Sequence, residues 1–171
     1  MSLFRNRATD RDGEFDRFDV LWAVLAAIAV NLVGAIGVPF TTPDSVWFQE
    51  LTKPWFYPPD WAFGVVWPIL YALLGIAAYL VWRRRGTEPV RLALGLFVLQ
   101  LAVNVSWSPV FFGLEAPGAA LVVIVVLWLL LVPTVVAFAR VDVRAAALLV
   151  PYFIWVSFAT VLNYAIWTLN V

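Results

Sequence analysis

The chain has 171 residues, 64% of them hydrophobic and only 13% charged, with a formal net charge of zero. Soluble domains carry about a quarter charged residues, so this composition reads as an integral membrane protein, and at this length as one domain. There is no cysteine and no histidine, which excludes disulfides, thiolate chemistry, Cys or His metal sites and the commonest general base, while a zero net charge gives no field to gather nucleic acid.

In chain order, residues 1–19 form a polar tail of mixed sign, MSLFRNRATDRDGEFDRFD, predicted to be a disordered or surface-lying arm. Five apolar runs follow, at 20–39, 62–82, 92–113, 118–139 and 145–169, and none contains Asp, Glu, Lys or Arg. Each has roughly the 20 residues that a spanning helix needs. No small-residue cleavage motif ends the first, so it is read as a helix and not as a removed signal peptide. The expected fold is an all-α membrane protein: one domain over 20–171, a bundle of five transmembrane helices with a long structured first loop.

Basic residues divide unevenly among the connections. Arg5, Arg7, Arg11 and Arg17 lie in the tail, Arg83, Arg84, Arg85 and Arg91 in the second connection, and Arg140 and Arg144 in the fourth; the opposite side holds only Lys53. The positive-inside bias predicts a cytoplasmic N-terminus and an outside C-terminus.

The first loop, about Phe40 to Trp61, is longer than the others. Its stretch LTKPWFYPPDW, Leu51 to Trp61, holds four aromatics, three prolines and the only lysine. Pro54, Pro58 and Pro59 fix φ at three positions, and a loop this aromatic lacks the composition of a disordered one. It reads as a stiff lid on one mouth of the bundle, because long loops in compact proteins are functional or disordered.

Pumps and ion-coupled transporters place charged or histidine side chains within the membrane, and these runs have none. They carry tryptophan instead. Trp22, Trp82 and Trp167 lie near run ends and fit an interfacial belt. Trp67, Trp107 and Trp155 lie deeper. At helical spacing, Phe63, Trp67 and Tyr71 share one face of the second run, and Gln100, Asn104, Trp107 and Phe111 one face of the third. On the fifth, Tyr152, Trp155, Ala159 and Leu162 or Asn163 do the same. Such stripes suit helix–helix packing, with the amides as interhelical hydrogen-bond partners. They equally suit the walls of an aromatic pocket with a few polar groups. Combined with the lid they point to a pocket for a planar, conjugated, lipid-soluble ligand, stacked on indoles that each offer one N–H donor.

The segments WFQELTKPWFYPPDWAFGVVW, LYALLGIAAYLVWR, QLAVNVSWSPVFFG and PYFIWVSFATVLNYAIWTLN occur in that order across Trp47–Asn170. With them the sequence resembles the tryptophan-rich sensory protein and mitochondrial translocator protein (TspO/MBR) family. The resemblance implies a five-helix bundle, commonly a homodimer, in a prokaryotic cell membrane, that binds porphyrins among its helices beneath the first loop. It carries Phe63, Trp67, Asn104, Trp107, Trp155, Ala159 and Leu162 over as pocket residues, and Trp47, Phe56, Tyr57 and Tyr71 complete the expected ligand-binding set. No catalytic residue and no cofactor is required. The expected role is binding, sensing or trafficking of tetrapyrroles such as protoporphyrin or haem. The alternatives are light-dependent porphyrin degradation through Trp67 and Trp155, and passive facilitation of ligand movement.

The match has departures. The family's loop pattern Lys-Pro-x-Trp-x-Pro-Pro has Phe56 at its Trp position, with Trp55 one place earlier, which leaves two candidates for stacking. Val65 stands where the family often has proline, and Pro68 follows Trp67 instead. No basic residue follows Tyr164, so the proposed cholesterol motif fails. Without His or Cys, and with Met1 the only methionine, a haem iron would find only Tyr or water as an axial ligand, and metal-free porphyrin, or haem held without a strong protein ligand, fits better.

Overall fold

The computed structural model describes residues 16–171. Every regular element among them is helical, and five helices are long and apolar enough to cross a bilayer, in agreement with the predicted fold class. Helix α1 (Arg17–Gly34) begins before the predicted limit. Asp16 supplies the reason. Its carboxylate accepts from the amides of Phe18 and Asp19, and the Asp19 carboxylate accepts from the Asp16 amide. This reciprocal cap satisfies N–H groups that have no partner within the helix. The expected polar tail lies outside the described residues as far as residue 15. After Gly34 the chain tightens into a 3-10 segment, Ala35–Phe40, with Pro39 removing one amide donor.

The first loop contains a short helix, α2 (Val46–Glu50), capped by the Ser45 hydroxyl, which accepts from the Phe48 amide at 3.3 Å. Then come α3 (Asp60–Arg83), α4 (Arg91–Ser108), α5 (Pro117–Val141) and α6 (Val143–Leu169). Beyond α4 the chain widens into a π turn, Pro109–Gly113. Pro109 has no amide hydrogen to continue the α-helical ladder, and the Leu114 amide bonds the Pro109 carbonyl, five residues back, at 3.0 Å.

The helices do not pack in chain order. α1 packs on α3, α3 on α6, α6 on α5 and α5 on α4, while α3 and α4 barely meet. The α1–α3 contact is close because Gly75 lacks a side chain: a Cβ there would lie 2.4 Å from the Ala26 carbonyl oxygen. In lipid, apolar burial does not drive helices together; close packing and interhelical hydrogen bonds do. Trp128 of α5 accordingly donates its indole N–H to the Ser157 hydroxyl of α6 at 2.8 Å.

One apolar core fills the middle of the bundle, with Leu74, Val81, Leu131, Leu149 and Val156 fully enclosed. A second cluster, Phe48, Phe111, Ala120, Leu162 and Ile166, lies under the first loop. At the arginine-rich end, Arg83 pairs with Asp19 at 3.3 Å. Asp142 caps α6 through the Arg144 amide and pairs with the Arg144 and Arg84 side chains at 3.1 and 3.8 Å. Burial pushes the Asp142 carboxyl upward, but the hydrogen bonds and charge of Arg144, with the charge of Arg84, outweigh it and hold the group below the usual carboxylate range.

Candidate ligand cavity

Where α3 and α4 barely meet, the bundle encloses a cavity of about 530 Å³ beneath the first loop. That size lies within the range of small-molecule pockets, roughly 300–1,000 Å³. α3 contributes Phe63, Trp67 and Tyr71, one turn apart, as the periodicity predicts. α4 and its π turn contribute Asn104, Trp107, Ser108, Phe111 and Phe112, and α6 contributes Trp155, Ala159, Leu162 and Asn163. The walls are thus rings from three helices. Trp67 stacks on Tyr71 with centroids 5.4 Å apart, and Trp107 stacks on Phe111 at 4.7 Å.

The polar groups of the wall are largely spoken for by one another. The Tyr71 hydroxyl donates to Asn104 Oδ1 at 2.6 Å, the sole side-chain hydrogen bond across the α3–α4 gap among the described residues. Trp107 donates its indole N–H to Asn163 Oδ1 at 2.9 Å, and Asn163 passes its own amide proton to the Pro117 carbonyl at 2.9 Å. This chain locks α4, α5 and α6 together at the loop end. The Trp155 indole N–H differs: it is buried and meets no acceptor in the protein. An unmet buried donor costs about 1–3 kcal/mol. Among the described residues no cluster of carboxylate, His or Cys side chains could hold a metal ion.

The loop closes the cavity from one end. Phe48 and Tyr57 line it directly, and Asp60 sits at its rim, accepting from the Tyr57 hydroxyl at 2.9 Å. Burial first, and then the Asp60 hydrogen bond and charge, raise the Tyr57 hydroxyl above its ordinary pKa, so it remains a donor at neutral pH. The Lys53 ammonium lies 4.4 Å from the Phe48 ring centroid and 5.3 Å from that of Tyr57, within cation–π range.

Nine of the eleven residues expected to bind ligand line this one cavity. Trp47 and Phe56 do not. Trp47 packs edge-on against Phe111 at 5.7 Å, and Phe56 packs edge-on against Phe158 at 6.3 Å. Both therefore lie behind the wall, bracing it. The choice between Trp55 and Phe56 falls to Phe56 as the inward ring, since Trp55 is 95% exposed.

Sequence reasoning missed α1 and α2. Asn31, Gly34 and Gly37 bring the first helix into the wall. Gly34 is required there, because a Cβ would lie 2.2 Å from the Tyr71 ring. The signal was present: Asn31 is the one polar residue of the first apolar run, and both glycines follow at three-residue spacing. Phe48 left no comparable signal, since a five-residue helix is too short to show a period. A more open apolar groove of about 720 Å³ runs along the outer face of α1 and α3 and shares Asn31 and Ala35 with the cavity.

A sequence profile of the TspO/MBR family matches residues 23–168. The chain is 45% identical over 143 residues, 81% of its length, to the tryptophan-rich protein TspO of Chlorobaculum tepidum, covering 89% of that protein. It is 40% identical over 149 residues to the tryptophan-rich sensory protein of Cereibacter sphaeroides, covering 84% of this chain and 92% of that one. It is 43% identical over 146 residues to the translocator protein of Homo sapiens, covering 84% and 86%.

Proposed function

The chain belongs to the TspO/MBR family of membrane proteins, and from that premise we propose that its cavity binds a planar, lipid-soluble ligand of the tetrapyrrole type. The observation that carries this reading is the wall itself. Rings from α3, α4 and α6 face one apolar space, with a buried, unmet indole N–H, that of Trp155, among them. Flat conjugated bodies gain by stacking on such rings, and a shift of the Trp155 ring that opens its enclosed N–H to the cavity lets an acceptor on the ligand, such as a carbonyl, a carboxylate or a ring nitrogen, become its missing partner. A haem would be held mainly by stacking and shape, since the chain offers its iron neither His nor Cys and the lining Tyr57 and Tyr71 hydroxyls are bonded to Asp60 and Asn104. The role that follows is sensing or trafficking, with occupancy biasing the loop.

Titration of the protein in bilayers with protoporphyrin IX tests the reading through quenching of tryptophan emission. Wild type is expected to quench saturably. Trp155→Phe keeps the ring and removes the donor, and affinity should fall about five- to thirtyfold, the worth of roughly 1–2 kcal/mol. Trp67→Phe should weaken binding less, through lost ring area. Absence of quenching in wild type, or equal affinity in all three proteins, would sink the assignment. A light-dependent chemistry is the second reading, favoured by Trp67 and Trp155 sharing the cavity. It requires porphyrin products that form in light, fail to form in the dark, and disappear in Trp155→Phe.

A further inference from the structure

The segment of the first loop between α2 and α3 is hydrogen-bonded to the bundle by one side chain at the far end of the sequence. Asn170, just past α6, accepts the Thr52 amide N–H on its Oδ1 at 2.8 Å and donates from Nδ2 to the Thr52 carbonyl at 3.0 Å. One carboxamide thus pairs with both backbone groups of one residue, as neighbouring strands do. The same Nδ2 lies 2.7 Å from the Ile166 carbonyl, which fixes the rotamer against the last turn of α6. Among the described residues these are the only hydrogen bonds that tie the segment between α2 and α3 to a distant helix; the others there, such as Tyr57 to Asp60, are local.

The position of the clasp gives it leverage. Thr52 immediately precedes Lys53 and Pro54, and Lys53 covers the rings of Phe48 and Tyr57, both of which line the cavity. Pro54, Pro58 and Pro59 restrict the backbone beyond Thr52 at three positions. Thr52 and Asn170 are both exposed, so water competes for each bond and the clasp can open without leaving a buried group unpaired.

We propose that Asn170 is a positioning residue of the cavity: a latch that holds the first loop closed and sets the rate at which ligand is exchanged. The proposal rests on the ligand-binding reading above for its second readout, but not for its first.

The first readout needs no ligand. Amide hydrogen exchange over residues 46–59 of the full-length protein in bilayers should speed up about tenfold in Asn170→Ala, the factor that two exposed hydrogen bonds supply. Exchange in the centres of α3 and α5 should stay unchanged. Asn170→Asp keeps an acceptor for the Thr52 amide and loses the donor, and should fall between. The second readout uses protoporphyrin IX. In Asn170→Ala both association and dissociation should rise about tenfold, with affinity changed far less, a pattern that simple loss of wall contacts would not give. Because the chain has no cysteine, Thr52→Cys/Asn170→Cys can be joined by a short reducible cross-linker at that position alone. Linked protein should exchange ligand slowly, and reduction should release it. Unchanged amide exchange in Asn170→Ala overturns the latch. So does ligand exchange as fast in linked protein as in reduced protein, which would direct the route to the bilayer flank where Asn31 and Ala35 border both the cavity and the outer groove. Failure of protoporphyrin to bind wild type would sink the ligand assignment, with the latch still decided by amide exchange.

Discussion

Trp55 and Phe56 are neighbours with opposite fates. Phe56 turns inward against Phe158, whose ring lies 5.5 Å from that of Trp155, so it supports the cavity at one remove. Trp55 is 95% exposed and Trp61 is 70% exposed, both close to the start of a spanning helix, where indoles favour the lipid headgroup region. Trp55→Ala is therefore expected to leave thermal stability within about 0.5 kcal/mol and protoporphyrin affinity unchanged. Phe56→Ala should cost on the order of 1–3 kcal/mol, less than a fully enclosed Phe, and lower affinity a few-fold. Melting curves and quenching titrations on the two variants check both halves, and the reverse ranking would refute the inward assignment of Phe56. The sequence left this choice open because adjacent residues in a proline-rich loop obey no helical or strand period. Trp67, Tyr71 and Trp155 were legible because helical spacing fixes which residues share a face.

At the scale of the helix, glycine decides how closely neighbours approach. Gly75 and Gly95 are both mid-helix, yet only Gly75 faces another backbone. A Cβ at Gly75 would meet the Ala26 carbonyl at 2.4 Å, whereas nothing lies within 4 Å at Gly95. Gly75→Ala should separate α1 from α3 and destabilise by about 1–3 kcal/mol, the usual range for overpacking. Gly95→Ala should be neutral or stabilising by up to about 1 kcal/mol through helix propensity. Thermal unfolding in one detergent compares the two, and equal effects would refute the packing argument. The five spans were visible because length and hydropathy suffice to mark them. The π turn at Pro109 and the 3-10 end of α1 were not visible, since both are local compromises at a proline within an unbroken apolar run. They matter to the cavity, because the π turn presents Phe111 and Phe112 to it and the 3-10 segment presents Gly37 and Val38.

For the whole molecule, the order of packing could not be read from the chain, since five spans of similar hydropathy allow many arrangements. The gap between α3 and α4, and hence the cavity, emerges only when α6 inserts beside α3. Orientation is a separate matter, resting on the charge count. With no native cysteine, Thr87→Cys between α3 and α4 should resist a membrane-impermeant maleimide on intact cells, and Glu115→Cys between α4 and α5 should react; the opposite pattern would invert the proposed topology. The same charge distribution has an electrical consequence. Apart from Asp60 at the rim, no wall residue of the cavity is ionisable near neutral pH. A unit charge crossing the full membrane potential exchanges about 2.3 kcal/mol per 100 mV. Asp60 aside, the cavity wall has no such charge to move, so loading an uncharged ligand is electrically silent. For such an uncharged ligand, occupancy follows its concentration in the lipid, and an energised membrane and a depolarised one fill the site alike.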